Sequence, residues 1–186
     1  YLNACRGGLR HVASCLIAGV SGGGKVAYQR LVNTQVVPRA GVDGLDDGFV
    51  GEKIYFFHAD GDDVVIQEYM NQDDPDLFAT THIEGTTLQV HSGRRQGVFG
   101  LRSYVEIYIP ASFAGSLSLV TVRGGAVSNN AWKLSPLSAR TVSGEVAVEG
   151  VDASPARPSS TRGNVKVGRA AGSPAVHSMR GHQRAE

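Results

Sequence analysis

Thr121-Val-Arg-Gly124, Thr141-Val-Ser-Gly144, Ser160-Thr-Arg-Gly163 and Ser178-Met-Arg-Gly181 repeat one four-residue phrase, with glycines that step by 20, 19 and 18 residues. A period near 20 in a glycine- and valine-rich stretch predicts stacked coils, because a single coil cannot bury its apolar face without a neighbour. The expected fold is all-β: a short parallel β-solenoid with coils from about residue 111 to 186, after a strand-rich segment. Aligning the phrases on glycine assigns a task to each column. Val122, Val142, Thr161 and Met179 are expected to look inward, and Thr121, Thr141, Ser160 and Ser178 to form a hydroxyl ladder along the coil axis. Val146 and Val148, then Val165 and Val167, alternate with Ala147 and Lys166, the period of a half-buried strand. The glycines are expected to turn corners. In the fourth rung His182, Gln183 and Arg184 replace the valines, as a polar cap or a frayed end.

Upstream of Pro110, strands are expected at Lys53 to Ala59, Asp63 to Tyr69, Thr80 to Glu84, Thr87 to His91 and Tyr104 to Ile109. Asp60-Gly61, Asn71 to Pro75, Glu84-Gly85 and Ser92-Gly93 supply turns between them. Residues 1–35 are read as an adapter segment, set apart from a domain over 36–186, with a helix-compatible stretch from Val26 to Asn33. The apolar run Val12 to Val20 falls short of the roughly 20 residues that cross a bilayer, so no membrane span is expected. Arg6, Arg10 and that run have the flavour of a targeting remnant, although a lipoprotein box needs its apolar stretch before Cys15. The chain starts at Tyr1 and stops inside a repeat, and so reads as a fragment. Cys5 and Cys15 could pair in an oxidising compartment or stay as free thiols.

A net charge of +1 conceals opposed blocks. Residues 1–42 hold five basic side chains and no carboxylate, residues 43–84 hold twelve acids against Lys53, and residues 152–186 are basic again. No aromatic residue lies among the basic ones, so a nucleic-acid partner is not expected.

With the repeats placed after Val64-Val-Ile-Gln-Glu-Tyr-Met-Asn-Gln-Asp-Asp-Pro75, with Thr87-Leu-Gln-Val90 behind Glu84-Gly85, and with Tyr104-Val-Glu-Ile-Tyr-Ile-Pro110 leading into them, the chain resembles the bacterial putative-adhesin family of β-strand-repeat domains. The likeness covers about residues 40–186. It implies a β-solenoid in an envelope-associated or exported protein, a location at the cell envelope or outside the cell, and no enzymatic activity. Two departures make the rungs more basic: Arg123, Arg162 and Arg180 stand where serine is usual, and the acid that follows the glycine survives only as Glu145.

Several local patterns compete for chemistry. Gly19-Val-Ser-Gly-Gly-Gly-Lys25 has the spacing of a phosphate-cradling loop, yet Val26 stands where a hydroxyl must ligate magnesium. The same stretch spells a serine elbow at Ser21, with His58, His82 and Asp60 as distant candidates for its partners. A glycine hinge explains both more simply. The clusters Asp43/Asp46/Asp47, Asp60/Asp62/Asp63 and Asp73/Asp74/Asp76 lack a calcium-loop frame, and strand-end turns account for them. No catalytic residue, metal or cofactor is therefore assigned. The binding expectation falls on Arg123, Arg162 and Arg180, which stacked rungs about 4.8 Å apart would align as a basic stripe. An anionic envelope polymer is its expected partner. The alternative function is a structural or regulatory envelope scaffold that binds a surface protein.

Overall fold

In the computed structural model the described residues are 29–128, 132–134, 136–149, 156–168, 177–178 and 183–185. The chain opens with β1 (Arg30–Pro38), β2 (Gly44–Phe49), β3 (Lys53–Ala59) and β4 (Asp63–Met70). A 3-10 turn at Pro75–Leu77 leads to β5 (Thr80–Glu84), β6 (Thr87–His91) and β7 (Ser103–Pro110). The repeats follow as β8 (Ser116–Thr121), β9 (Gly125–Ser128), β10 (Leu137–Thr141), β11 (Val146–Glu149), β12 (Ala156–Ser160), β13 (Val165–Gly168), β14 (His177–Ser178) and β15 (Gln183–Ala185).

These strands form two mixed sheets that do not close on one another. Sheet A runs β1-β4-β7-β3-β9-β11-β13-β15 and sheet B runs β14-β12-β10-β8-β2-β6-β5. Through the repeats, consecutive strands alternate between the sheets, and each pairs in parallel with its counterpart one repeat away. Thr121, Thr141, Ser160 and Ser178 fall in one register, as the phrase alignment requires. The same ladder extends upstream of residue 111: β2 pairs in parallel with β8, placing Phe49 opposite Thr121, and β3 pairs with β9. Phe49-Val-Gly-Glu52 thus takes the place of the Thr121 phrase one ladder step earlier, without its sequence.

The inward column differs from expectation. Val122 and Val142 are 41% and 44% exposed, while Thr121, Thr141 and Ser160 are buried. Alternation decides this: Leu117 and Leu119 face the core, so Thr121, two residues further, does too, and the next residue begins the outward corner. The buried hydroxyls are partly satisfied by the corner itself. Thr141 Oγ1 donates to Gly124 O at 3.3 Å, and Gly124 N donates to Thr121 Oγ1 at 3.2 Å. The glycines serve close approach and not unusual torsion. A Cβ on Gly124, Gly144 or Gly163 would lie 1.7, 1.7 or 1.6 Å from the carbonyl oxygen of Glu52, Gly124 or Gly144, one rung back.

Residues 30–33, the end of the helix-compatible stretch whose first residues 26–28 lie outside the described residues, are the start of β1, which pairs antiparallel with β4. The expected boundary at residues 35 and 36 falls inside this strand. Between the sheets lie Leu45, Phe49, Ile54, Phe56, Ile66, Leu88, Val105, Ile107 and Leu119, all buried. Val146, Val148 and Val165 continue the core into the repeats as expected, with Lys166 outside.

A buried ionic cluster fastens the loop between β6 and β7 to this body. Arg95 donates to Leu77 O at 2.7 Å, to Glu52 Oε1 at 2.8 Å and to Glu68 Oε1. Glu68 also accepts from Ala79 N at 2.9 Å and from Asn33 Nδ2 at 2.6 Å. Glu52 caps its own corner, accepting from Val50 N at 3.1 Å and Gly51 N at 2.8 Å. Removing two carboxylates and a guanidinium from water is costly, and these additional hydrogen bonds are what make the arrangement tolerable.

Candidate functional sites: a basic corner and an aromatic face

The corner ladder sets the first surface. Arg123 N donates to Val50 O, Ser143 N to Val122 O and Arg162 N to Val142 O, each at 2.9 Å. Arg123, Ser143 and Arg162 therefore follow one another on successive rungs, all exposed, with Gly51 one rung before Arg123. Among the described residues neither Arg123 nor Arg162 joins a salt bridge, whereas Lys166 pairs with Glu145 at 2.9 Å. Arg180 lies outside the described residues.

The second surface is the outer face of sheet A, where β3, β7 and β4 lie side by side. Alternation sends Ile54, Phe56, Val105, Ile107, Val64 and Ile66 inward and leaves their neighbours outside. The register then sets three rows across the strands: Lys53–Tyr104–Tyr69, Tyr55–Glu106–Gln67 and Phe57–Tyr108–Val65. Five half-buried rings thus surround Glu106. Tyr69 and Tyr104 stack with centroids 4.5 Å apart and planes 5° apart, and Tyr55 meets Tyr104 edge-on at 5.9 Å. Phe57 lies 5.3 Å from Tyr108. The phenols are tied down from within the face: Tyr108 donates to Glu106 Oε2 at 2.8 Å and Tyr69 to Gln67 Oε1 at 3.0 Å.

Burial and then the Glu106 carboxylate push the Tyr69 phenol up to about 12 and raise Tyr104 as well. Tyr108 rises for the same reasons, with burial first and its hydrogen bond to Glu106 next. All three are neutral at physiological pH. An open groove of about 580 Å³ runs along Gly51, Lys53, Tyr55, Ser103, Tyr104 and Glu106. A second, of about 340 Å³, lies along Tyr108, Val65, Asp60, Asp62 and Asp63. A small interior cavity of about 20 Å³ beside Phe56 and Trp132 holds at most about one water, and is no ligand site.

The remaining candidates disperse. Ser21 and Lys25 lie outside the described residues, as do Cys5 and Cys15. His58 packs edge-on against Trp132 at 4.4 Å, His82 is exposed on β5, and Asp60 is exposed in the β3–β4 turn. Asp46 and Asp47 point to opposite faces of β2. Asp74 caps the 3-10 turn through Asp76 N at 3.0 Å, and Asp73 pairs with Arg30 at 3.0 Å. Among the described residues no three metal-ligating side chains converge, and no helix is long and apolar enough to cross a membrane.

The chain is thus an all-β protein of two mixed sheets, with broad outer faces and a charged corner. A putative cell adhesion protein from Clostridium sporogenes has the same fold, with a TM-score of 0.66 over 84% of this chain and 98% of that one, at 8% identity. Putative adhesins from Bacteroides fragilis and Parabacteroides merdae match over 82% and 83% of this chain and 95% of each of theirs. Their TM-scores are 0.38 and 0.29 and their identities 16% and 10%, too loose a superposition to carry an argument. No family model and no curated protein matches the chain.

Proposed function

We propose that this chain is a non-catalytic surface-interaction module of the bacterial envelope or exterior, of adhesin type, whose repeats wind as a parallel β-solenoid. The observation that carries the reading is the basic corner, in which Arg123 and Arg162 recur in register on the same outward column. Like charges about 10 Å apart on one stripe repel, and a polyanion laid along the stripe relieves that repulsion. An anionic envelope polymer is the partner, and Arg180 holds the same place in the fourth sequence phrase. Fold likeness to a putative cell adhesion protein supports the same class.

Retention of the full chain on an immobilised anionic polymer, followed through a salt series, tests this reading. Retention is expected at low salt and is lost as salt rises and the Debye length shrinks from about 10 Å at 0.1 M to about 3 Å at 1 M. The Arg123→Ser, Arg162→Ser, Arg180→Ser triple variant is expected to bind at least about tenfold more weakly, or 1.4 kcal/mol. Retention that is equal for both proteins at every salt refutes the stripe.

A further inference from the structure

We propose that the aromatic outer face of sheet A is a binding platform for an uncharged glycan, a site that borders the basic corner at Gly51 and differs from it in side chains and in the chemistry it selects. Cross-strand aromatic pairs stabilise a sheet by themselves, and five half-buried rings gathered on the solvent side also give that face an open, ring-lined groove. Here the three rows hold Tyr55, Phe57, Tyr69, Tyr104 and Tyr108, and only Lys53 and Glu106 among them are charged.

The geometry sorts the ligand classes. Tyr69 and Tyr104 cover one face of each other, and the ring faces left to the groove carry the negative side of the aromatic quadrupole and so favour flat patches of weakly positive C–H groups, such as one face of a pyranose ring. Glu106, at the centre, accepts hydroxyl protons more strongly than a neutral oxygen would. Gln67 beside it and Lys53 and Ser103 along the groove add further donors and acceptors. A cage for a single cation would need rings converging on one point. Here Tyr55, Phe57 and Tyr104 line one open groove and Tyr108 lines a second on the same face, an arrangement that suits an extended chain more than a point charge.

Charge complementarity excludes the alternatives that aromatic sheets otherwise accept. Stacked nucleic-acid bases bring phosphates, and those would meet Glu106 at the centre and Asp60, Asp62 and Asp63 at the far end, opposed by Lys53 alone among the lining residues. An anionic glycan meets the same repulsion. An uncharged glycan presents partial-positive C–H and O–H groups to a face made of ring quadrupoles and one carboxylate.

The test is electrophoresis of the full chain through native gels containing hydroxyethylcellulose, galactomannan, β-1,3-glucan or soluble starch, with polygalacturonate as the charged control. Retardation is expected in at least one uncharged gel, undiminished between about 0.05 and 0.5 M salt because no ion pair forms. Tyr55→Ala and Tyr104→Ala are each expected to weaken it about tenfold or more, 1.4 kcal/mol per decade. Tyr104→Phe, which keeps the ring, restores most of the affinity. Thermal melts that coincide with wild type identify variants that have kept the fold. No retardation in any uncharged gel overturns the proposal, as does equal retardation of the folded Tyr104→Ala variant. Sedimentation showing that the face is occupied by a second copy, released by Tyr104→Ala, overturns it as well. Salt-sensitive retention in polygalacturonate, lost with Arg123→Ser, reports on the basic corner and leaves that reading standing whatever the platform does.

Discussion

Asp47 occupies an inward position of β2, in register with Val90 on one side and Leu119 on the other, and it is fully buried. Neither carboxyl oxygen has a hydrogen-bond partner. Burial, and secondarily the neighbouring Asp46 carboxylate, push its pKa well above the ordinary 3.8. The native state therefore holds this proton more tightly than the unfolded chain does. Its contribution to stability is fully present below the unfolded pKa and is lost as pH rises toward the raised native value. Asp47→Asn removes the titration, so the stability of the variant relative to wild type is expected to grow as pH increases above about 4. Urea midpoints of both proteins from pH 4 to 8 measure it, and a constant difference across that range refutes the assignment. The sequence displayed Asp46-Asp47 as a turn-like acidic pair. Only the pairing of β2 between two other strands shows that one of them is in the core.

Corner glycines express the element scale, because their requirement belongs to the stacking of rungs. Gly144 has no room for a methyl group against the Gly124 carbonyl, and backbone on both sides prevents that oxygen from yielding as a flexible side chain would. Gly144→Ala is expected to destabilise the fold by about 1–3 kcal/mol or more, as overpacking does. Gly61, in the β3–β4 turn, has nothing within 4 Å of its Cβ position, and Gly61→Ala should stay within about 0.5 kcal/mol. Equal melting temperatures for the two variants would show that the rungs are not in this contact. The strand at Gly44–Phe49 was illegible because two aspartates and two glycines among six residues depress β propensity, and its support comes from β6 and β8 far along the chain. The aromatic face left a partial signal. Tyr55 and Phe57, then Tyr104 and Tyr108, recur at even spacing within their strands, which places each pair on one face without revealing that the faces adjoin.

At the scale of the whole molecule, Arg95 joins segments that local sequence keeps apart: the corner at Glu52, the middle of β4 at Glu68 and the end of the 3-10 turn at Leu77. Removing the cation strands two carboxylates in the interior. Arg95→Met is expected to destabilise the protein by about 3–5 kcal/mol, measured by chemical denaturation, whereas the exposed Arg94→Met should be nearly silent. A loss below about 1 kcal/mol for Arg95→Met would mean that solvent reaches the cluster. By itself the sequence determined the all-β class, the register of the Thr-Val-Arg-Gly phrases and most strands upstream, because alternation and a repeated period are local properties that each segment carries alone. Tertiary structure decided which hydroxyls and valines turn inward at the corners, the extension of the ladder back to Phe49, the burial of Asp47 and the Arg95 cluster, and the gathering of five rings on one face. Those depend on strands remote in sequence lying about 4.8 Å apart, a proximity that no single segment encodes.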